Sequence, residues 1–163
     1  MMKKLLTVLI SAVALCGCLF AAGCGGSADS GSPASTNSGL EEGTYTAEFS
    51  SDLMSMIHLN EVCEGRCTLT VDADGNAVAH LIMPSTSIQK LYLGTKDKAQ
   101  EPGAELIEAQ KEKVVYDDGY KQTVSAFDLP VPVIDQEFDM ALVGKKGNWY
   151  DHKVKFTDVQ PKK

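Results

Sequence analysis

The sequence has little of several features that would point directly to a function. It carries 15 Lys and Arg residues against 22 Asp and Glu, so its formal net charge is −7. The lack of a basic surplus argues against a nucleic-acid partner. Five cysteines in 163 residues are too few for a disulfide-dense miniprotein. Hydrophobic residues make up 44% and charged residues 23%, which is an ordinary balance for one globular domain.

Motifs for catalysis and metal binding are missing as well. The sequence contains no G-x-S-x-G, no phosphate-binding loop and no Ser-x-x-Lys with its partner motifs. Its three histidines, His58, His80 and His152, form no H-x-H or H-E-x-x-H pattern, so no zinc site can be identified. We therefore expect a protein that is not an enzyme.

The first 24 residues have the pattern of an export signal. Lys3 and Lys4 give a positive start, an uncharged apolar stretch runs from Leu5 to Phe20, and Ala21-Ala22-Gly23 follow. With Cys24 directly after these small residues, the segment resembles a bacterial lipobox. In that family the signal is cut before the cysteine, whose sulfur then carries diacylglycerol.

The lipobox resemblance implies a chain held at the extracytoplasmic face of the cell membrane by a lipid on Cys24, with residues 1–23 as the signal peptide. Ala21 stands where leucine is usual, and a second box at Leu15–Cys18 overlaps the first. Because Cys24 ends the apolar run, we favour it. An uncleaved anchor helix is the alternative, although Leu5 to Ala22 is marginal in length for crossing a bilayer.

Residues 24–43 read as the lipidated cysteine and a Gly/Ser-rich linker. This segment has too few apolar residues to offset the entropy of ordering it, so we expect disorder. It serves either as a tether that lifts the domain off the membrane or simply as a tolerated tail.

Residues 44–160 are expected to form one all-β domain. Alternating or apolar runs bounded by turn residues predict seven or eight short strands and favour an antiparallel β-sandwich. The predicted strands are residues 44–49, 67–71, 78–83, 88–93, 120–127, 138–142 and 149–156.

Turns and irregular segments separate these strands. Residues 72–76 favour a hairpin turn, because a calcium loop would need Glu where Met83 stands. Leu53–Val62 has helical spacing and predicts a short helix. Gly103–Lys113 reads as a loop or a short exposed helix, and residues 128–135, with Pro130 and Pro132, predict a sheet edge or a crossover.

The order of motifs resembles the near-transporter (NEAT) family of Gram-positive surface domains, which are Ig-like β-sandwiches that bind haem or haemoproteins during iron uptake. The resemblance spans about residues 44–156 and is carried by the segments GTYTAEF, LMSMIHLN, CTLTVDADGNAVAHL, LYLGT, YKQTVSAFDLPVPV and NWYDHKVKF. It implies a NEAT-like sandwich with one or two short helices, and haem as the ligand to consider.

The resemblance also implies a set of ligand-binding residues. A short helix after the first strand carries a serine and apolar lip residues in this family, and Ser55, Met54 and Met56 match that place. Tyr150 matches the family's haem-ligating tyrosine, whereas Val154 stands where the family has a second tyrosine.

Two histidines extend this set by their positions. His58 lies near Met54 and Met56, and methionine and histidine can both ligate haem iron. His152 comes two residues after Tyr150, so on a strand the two share a face. Polar surface positions for the histidines and core packing for the methionines are the alternatives.

Cys63 and Cys67 remain once the signal and the lipidated cysteine are set aside. Outside the cytoplasm such a pair favours a disulfide, and a turn at Gly65 would bring the two residues close enough. Separate inert thiols, or a metal or redox role, are the alternatives.

Two functions fit the sequence. The first is a membrane-anchored ligand-binding module, for haem or an iron carrier, that serves an importer in nutrient uptake. The second is a structural or protein-interaction lipoprotein of the cell surface that has no small-molecule ligand. Partners are then the membrane, through the lipid anchor, and an importer or another surface protein.

Overall fold

The computed structural model describes residues 38–52 and 59–163. Within them lie one short helix, α1 (Lys96–Ala99), one 3-10 turn (Glu61–Cys63) and nine strands. The strands are β1 (Gly43–Ser51), β2 (Arg66–Val71), β3 (Ala77–Met83), β4 (Ile88–Leu93), β5 (Ile107–Glu108), β6 (Gln110–Val115), β7 (Lys121–Pro130), β8 (Phe138–Gly144) and β9 (Trp149–Pro161).

All nine strands belong to one antiparallel sheet in the order β5-β4-β8-β9-β1-β2-β3-β7-β6. Its two outermost strands, β5 and β6, are separated in sequence by Ala109 alone. The Ala109 N–H donates to the Gln89 carbonyl at 2.9 Å, while the next residue, Gln110, pairs with Ala126 of β7. One continuous segment therefore contacts both ends of the sheet and nearly closes it.

The all-β prediction is confirmed, and the predicted strands correspond to β1, β2, β3, β4, β7, β8 and β9. The prediction for Gly103–Lys113 was wrong, because β5 and most of β6 lie within it. Its lysines and glutamates suggested an exposed loop or helix. In the structure their backbone forms ladders with β4 and β7.

One hydrophobic core fills the side of the sheet that we call the inner face. Side chains on a strand alternate between the two faces, and the alternate positions Ala47 and Phe49 of β1 are both buried. The core extends around the sheet, and its largest fully buried members include Phe49, Phe127, Phe156, Leu69, Leu81, Leu91 and Met140. The inner face thus explains most of the alternation in the sequence.

A smaller cluster covers part of the opposite side, the outer face. Ile82, Val114 and Val124 are buried there, and Val62 and Tyr116 pack against them. Val62 comes from the 3-10 turn. Strands β3 and β7 are therefore buried on both faces along part of their length, which is why they read as nearly continuous apolar runs.

Most of the connections between strands agree with the predictions made from the sequence. Asp72 accepts hydrogen bonds from the backbone N–H groups of Asp74 and Asn76, at 2.9 and 2.8 Å, which fixes the turn predicted between β2 and β3. Pro130 is the last residue of β7, and the chain beyond it crosses from β7 to β8, which are not neighbours in the sheet. This confirms the predicted crossover. Of the predicted helix Leu53–Val62, residues 53–58 lie outside the described residues, and Glu61–Cys63 form the 3-10 turn.

Candidate functional site

The candidate site lies at one end of the sheet, which we call the rim. Strands β1, β3, β6 and β8 end there, and their antiparallel partners β2, β7 and β9, together with β4, begin there. The rim therefore contains the β1–β2 connection, the β3–β4 loop and the hairpin turns between β6 and β7 and between β8 and β9.

Tyr150 and His152 lie on the inner face near the rim. On β8 their pairing partners are Leu142 and Met140, both members of the core. Directly paired residues of an antiparallel sheet share a face. Tyr150 is 52% exposed, and among the described residues no group hydrogen-bonds its hydroxyl. The prediction that the two residues share a face is thus confirmed, and the Tyr150 phenol is accessible.

His152 is tied to the end of β1 by a short polar contact. Its Nδ1 lies 2.7 Å from an Asp52 carboxylate oxygen, and 13% of the histidine side chain is exposed. The hydrogen bond with His152 is the main reason that the pKa of Asp52 lies below its usual value. Asp52 immediately precedes the predicted lip, so this contact holds the residue before that segment beside His152.

The far side of the same segment is fixed on another strand. Leu59 is buried in the core, and Asn60 exchanges two hydrogen bonds with the Ile82 backbone of β3, at 2.7 and 2.8 Å. The predicted site residues Met54, Ser55, Met56 and His58 lie outside the described residues. Their flanks, however, both lie at the rim, one beside β9 and the other beside β3.

Two residues of the rim, Lys111 and Ser125, were not predicted as site residues from the sequence. The Lys111 ammonium donates to the Ser125 hydroxyl at 3.1 Å, and Ser125 is fully buried. Ser125 pairs with Met83 of β3 on one side and Lys111 of β6 on the other. Because Met83 is a core residue, Ser125 and Lys111 also face inward. This relation depends on strand register, which no local motif encodes.

His80 lies elsewhere, on the outer face, and connects three strands. Its Nδ1 lies 2.8 Å from Asp128 of β7 and its Nε2 lies 3.0 Å from Glu112 of β6. Burial alone would lower the pKa of His80, but the hydrogen bonds that its ring donates to the two carboxylates outweigh this effect and raise the pKa. Both ring nitrogens are occupied, so His80 is a structural cross-link and no part of the rim.

The two remaining cysteines are free thiols in the structure. Cys63 is exposed, whereas Cys67 is buried and its Sγ lies 3.4 Å from the Ala47 carbonyl. Burial raises the pKa of Cys67 to about 11 and also raises that of Cys63. The disulfide favoured from the sequence is not formed in this structure, because Cys67 faces the core. The lipidation site, Cys24, lies outside the described residues.

The described part of the chain shows neither a metal-binding cluster nor a membrane-spanning helix. No cluster of three or more His, Cys, Asp or Glu side chains arranged to hold a metal ion was found there. None of its helices has the length and apolar character needed to cross a membrane.

Comparison with known proteins adds no assignment. Neither the models of known protein families nor the curated proteins give a match to this chain. The function must therefore be argued from the rim itself.

Proposed function

We propose that this protein is a membrane-anchored, extracytoplasmic lipoprotein whose β domain binds a small ligand at the rim and supplies it to an importer. Haem or an iron carrier is the first ligand to test. The observation that carries the proposal is the contact between His152 and Asp52, at 2.7 Å. It holds Asp52, the residue before the predicted lip segment, beside the strand that bears Tyr150.

The chemistry of these residues suits a haem-like ligand. A tyrosine phenolate can ligate haem iron, and so can histidine and methionine. Tyr150 offers an exposed phenol on a strand whose inner face also carries His152 and the core residues Val154 and Phe156. A rigid strand positions a ligating group more precisely than a loop does.

The NEAT-like sandwich belongs to the same proposal. Strands β4, β8 and β9 would form one layer, and β2, β3 and β7 the other. Residues from both groups, such as Leu91, Met140, Leu69 and Phe127, share a single core, which supports such packing. An experimental structure in which the strands show no separation into two layers would contradict this part.

Haemin titration tests the ligand directly. A suitable protein is the mature polypeptide from residue 24 with Cys24→Ser, because the described residues, 38–52 and 59–163, share a large hydrophobic core. We expect a Soret shift that saturates at one haemin per chain. Tyr150→Phe removes the ligating oxygen and should shift the spectrum and weaken binding about tenfold or more. Tyr92→Phe is the matched control, because Tyr92 of β4 pairs with Ala141, whose other partner is the outward Asp151, so its side chain lies on the outer face. A flat spectrum at micromolar haemin would exclude haem.

The lipid anchor has a separate test. Cys24→Ser in the full chain removes the sulfur that would be acylated, so the protein should be released from the membrane or remain unprocessed. Cell fractionation with mass measurement of the amino-terminal peptide reads this out. Unchanged attachment and unchanged mass would refute the anchor.

The alternative is a non-catalytic protein-interaction module. Large exposed hydrophobic side chains favour it, because Val115, Tyr120 and Tyr150, which are each more than half exposed, all lie at the rim. Exposed apolar groups clustered in this way often mark protein contacts. A photo-crosslinking residue at position 120 would capture a specific partner in cells under this alternative, and the purified domain would bind no small ligand.

A further inference from the structure

The two faces of the sheet differ in the charged side chains that they carry. In the described strands the carboxylate residues lie on the outer face: Glu48, Glu108, Glu112, Asp128, Asp139, Asp151 and Asp158. The charged side chains that the strands place on the inner face are basic, and Asp52, which follows β1, contacts the inward His152. Lys111 pairs with Ser125, Lys113 with Thr123, and Lys121 with Val115, all near the rim. This separation occurs in a protein whose formal net charge is −7.

Lys111 and Lys113 have no carboxylate partner among the described residues, whereas four other lysines do. Lys90, Lys96, Lys98 and Lys153 form ion pairs with carboxylates. Within the described residues, Lys111 contacts only the neutral Ser125 hydroxyl, and Lys113 has no ion-pair partner. Both lysine side chains are exposed. Like charges two residues apart on one strand are about 7 Å apart, so they repel one another until an anion lies between them.

Apolar surface adjoins these charges. Met83 of β3 is a core residue, its neighbour Ser125 is buried and polar, and Lys111 follows on the next strand. The inner face at the rim therefore changes from apolar to cationic within three adjacent strands. A ligand that matches this gradient has an apolar body and an anionic group at one end.

We infer that Lys111 and Lys113 form an anion subsite of the rim, and that the ligand is an amphipathic carboxylate. This inference rests on the proposed function, since it names the chemistry of the ligand bound there. The carboxylate takes the place of water around the two ammonium groups, and the apolar body of the ligand lies toward the exposed side chains of Val115 and Tyr150. Haem, which carries two carboxylates, and a fatty acid share this chemistry.

The test compares acids with their neutral esters on the Cys24→Ser mature polypeptide. Haemin and haemin dimethyl ester form one pair, and cis-parinaric acid and its methyl ester form the other. Binding is followed by absorbance for the first pair and by fluorescence for the second. We expect at least one acid to bind about tenfold more tightly than its ester, as a charged hydrogen bond predicts. The pair in which the acid binds more tightly than its ester shows whether the preferred carboxylate is that of haem or that of a fatty acid.

Lysine variants locate the effect. Lys111→Met combined with Lys113→Met should weaken acid binding about tenfold and leave ester binding unchanged. Lys155→Met is the matched control, because Lys155 lies on β9 between the inward residues Val154 and Phe156 and so faces outward. Thermal melts establish that the variants fold.

The outcomes separate the two proposals. If acids and esters bind equally well, or if the double variant binds acids as the wild type does, the anion subsite is wrong and ligand binding at the rim stands. If neither acids nor esters bind, the proposed ligand-binding function fails, and the subsite fails with it. The comparison of acid and ester on the wild-type protein needs no variant, so it decides the matter even if the double variant unfolds.

Discussion

At the scale of single residues, His80 shows how one side chain links three strands. It lies on β3 and contacts Asp128 of β7 and Glu112 of β6. Its pKa is raised and that of Asp128 is lowered, the latter chiefly by the hydrogen bond from His80. The protonated ring and the ionised carboxylates therefore stabilise one another in the folded state.

The stability from His80 depends on pH. A raised histidine pKa stabilises the fold below the unfolded value of about 6.5, and this contribution is lost as pH rises through the folded pKa. The lowered Asp128 pKa contributes above about pH 4. His80→Gln should thus cost about 0.5–1 kcal/mol near pH 5.5, since the groups are partly exposed, and much less at pH 8.5.

Urea unfolding at the two pH values measures this difference. Lys153→Met is the control, because Lys153 pairs with Asp139 at 2.6 Å and this hydrogen bond raises the already high pKa of the lysine, so no imidazole is involved. An equal cost of His80→Gln at pH 5.5 and 8.5 would show that the ring is held by packing rather than by its charge.

The two cysteines give a second residue-scale prediction. Maleimide labelling of the native protein, read by peptide mapping, should modify Cys63 and leave Cys67 unmodified until the protein is unfolded. The reason is that Cys67 is buried and its pKa is raised to about 11, so its reactive thiolate is scarce. A peptide that joins Cys63 and Cys67 in non-reducing digests would instead show the disulfide.

At the scale of elements, the segment from β5 to β6 shows where sequence reasoning stops. Seven strands could be predicted because their inner faces are apolar and their turns contain suitable residues. In β6 the pattern is reversed, since Lys111 and Lys113 face inward near the rim while Val114 is buried in the outer cluster. Nothing local reveals that Val62 and Tyr116 cover Val114 from outside.

The junction at Ala109 should be sensitive to proline. Ala109→Pro removes the N–H that donates to Gln89 at 2.9 Å and so weakens the pairing of β4 with the β5–β6 segment, which then depends on the short β4–β5 ladder. We expect a loss of about 2–3 kcal/mol in the free energy of unfolding. Glu105→Pro, in the preceding exposed loop, is the control and should cost much less. Equal losses would mean that closure of the sheet adds little stability.

At the scale of the whole molecule, an acidic protein keeps its strand carboxylates on the outside and places three lysines on the inner face. The all-β class and the shared face of Tyr150 and His152 followed from the sequence. The rim did not, because it depends on pairings between distant residues such as Asp52 and His152. The lipid anchor and the resemblance to NEAT domains stay predictions.

The most direct test of ligand binding at the rim is a map of amide shifts. Gallium protoporphyrin, a diamagnetic substitute for haem, would be titrated into ¹⁵N-labelled mature polypeptide with Cys24→Ser. If the ligand binds at the rim, the largest shifts should cluster in residues 111–113, 123–125 and 150–152. The amide signals of the β2–β3 turn, residues 72–76, should stay unchanged. Shifts confined to that opposite end or to the outer face around His80, or no shifts at all, would contradict binding at the rim.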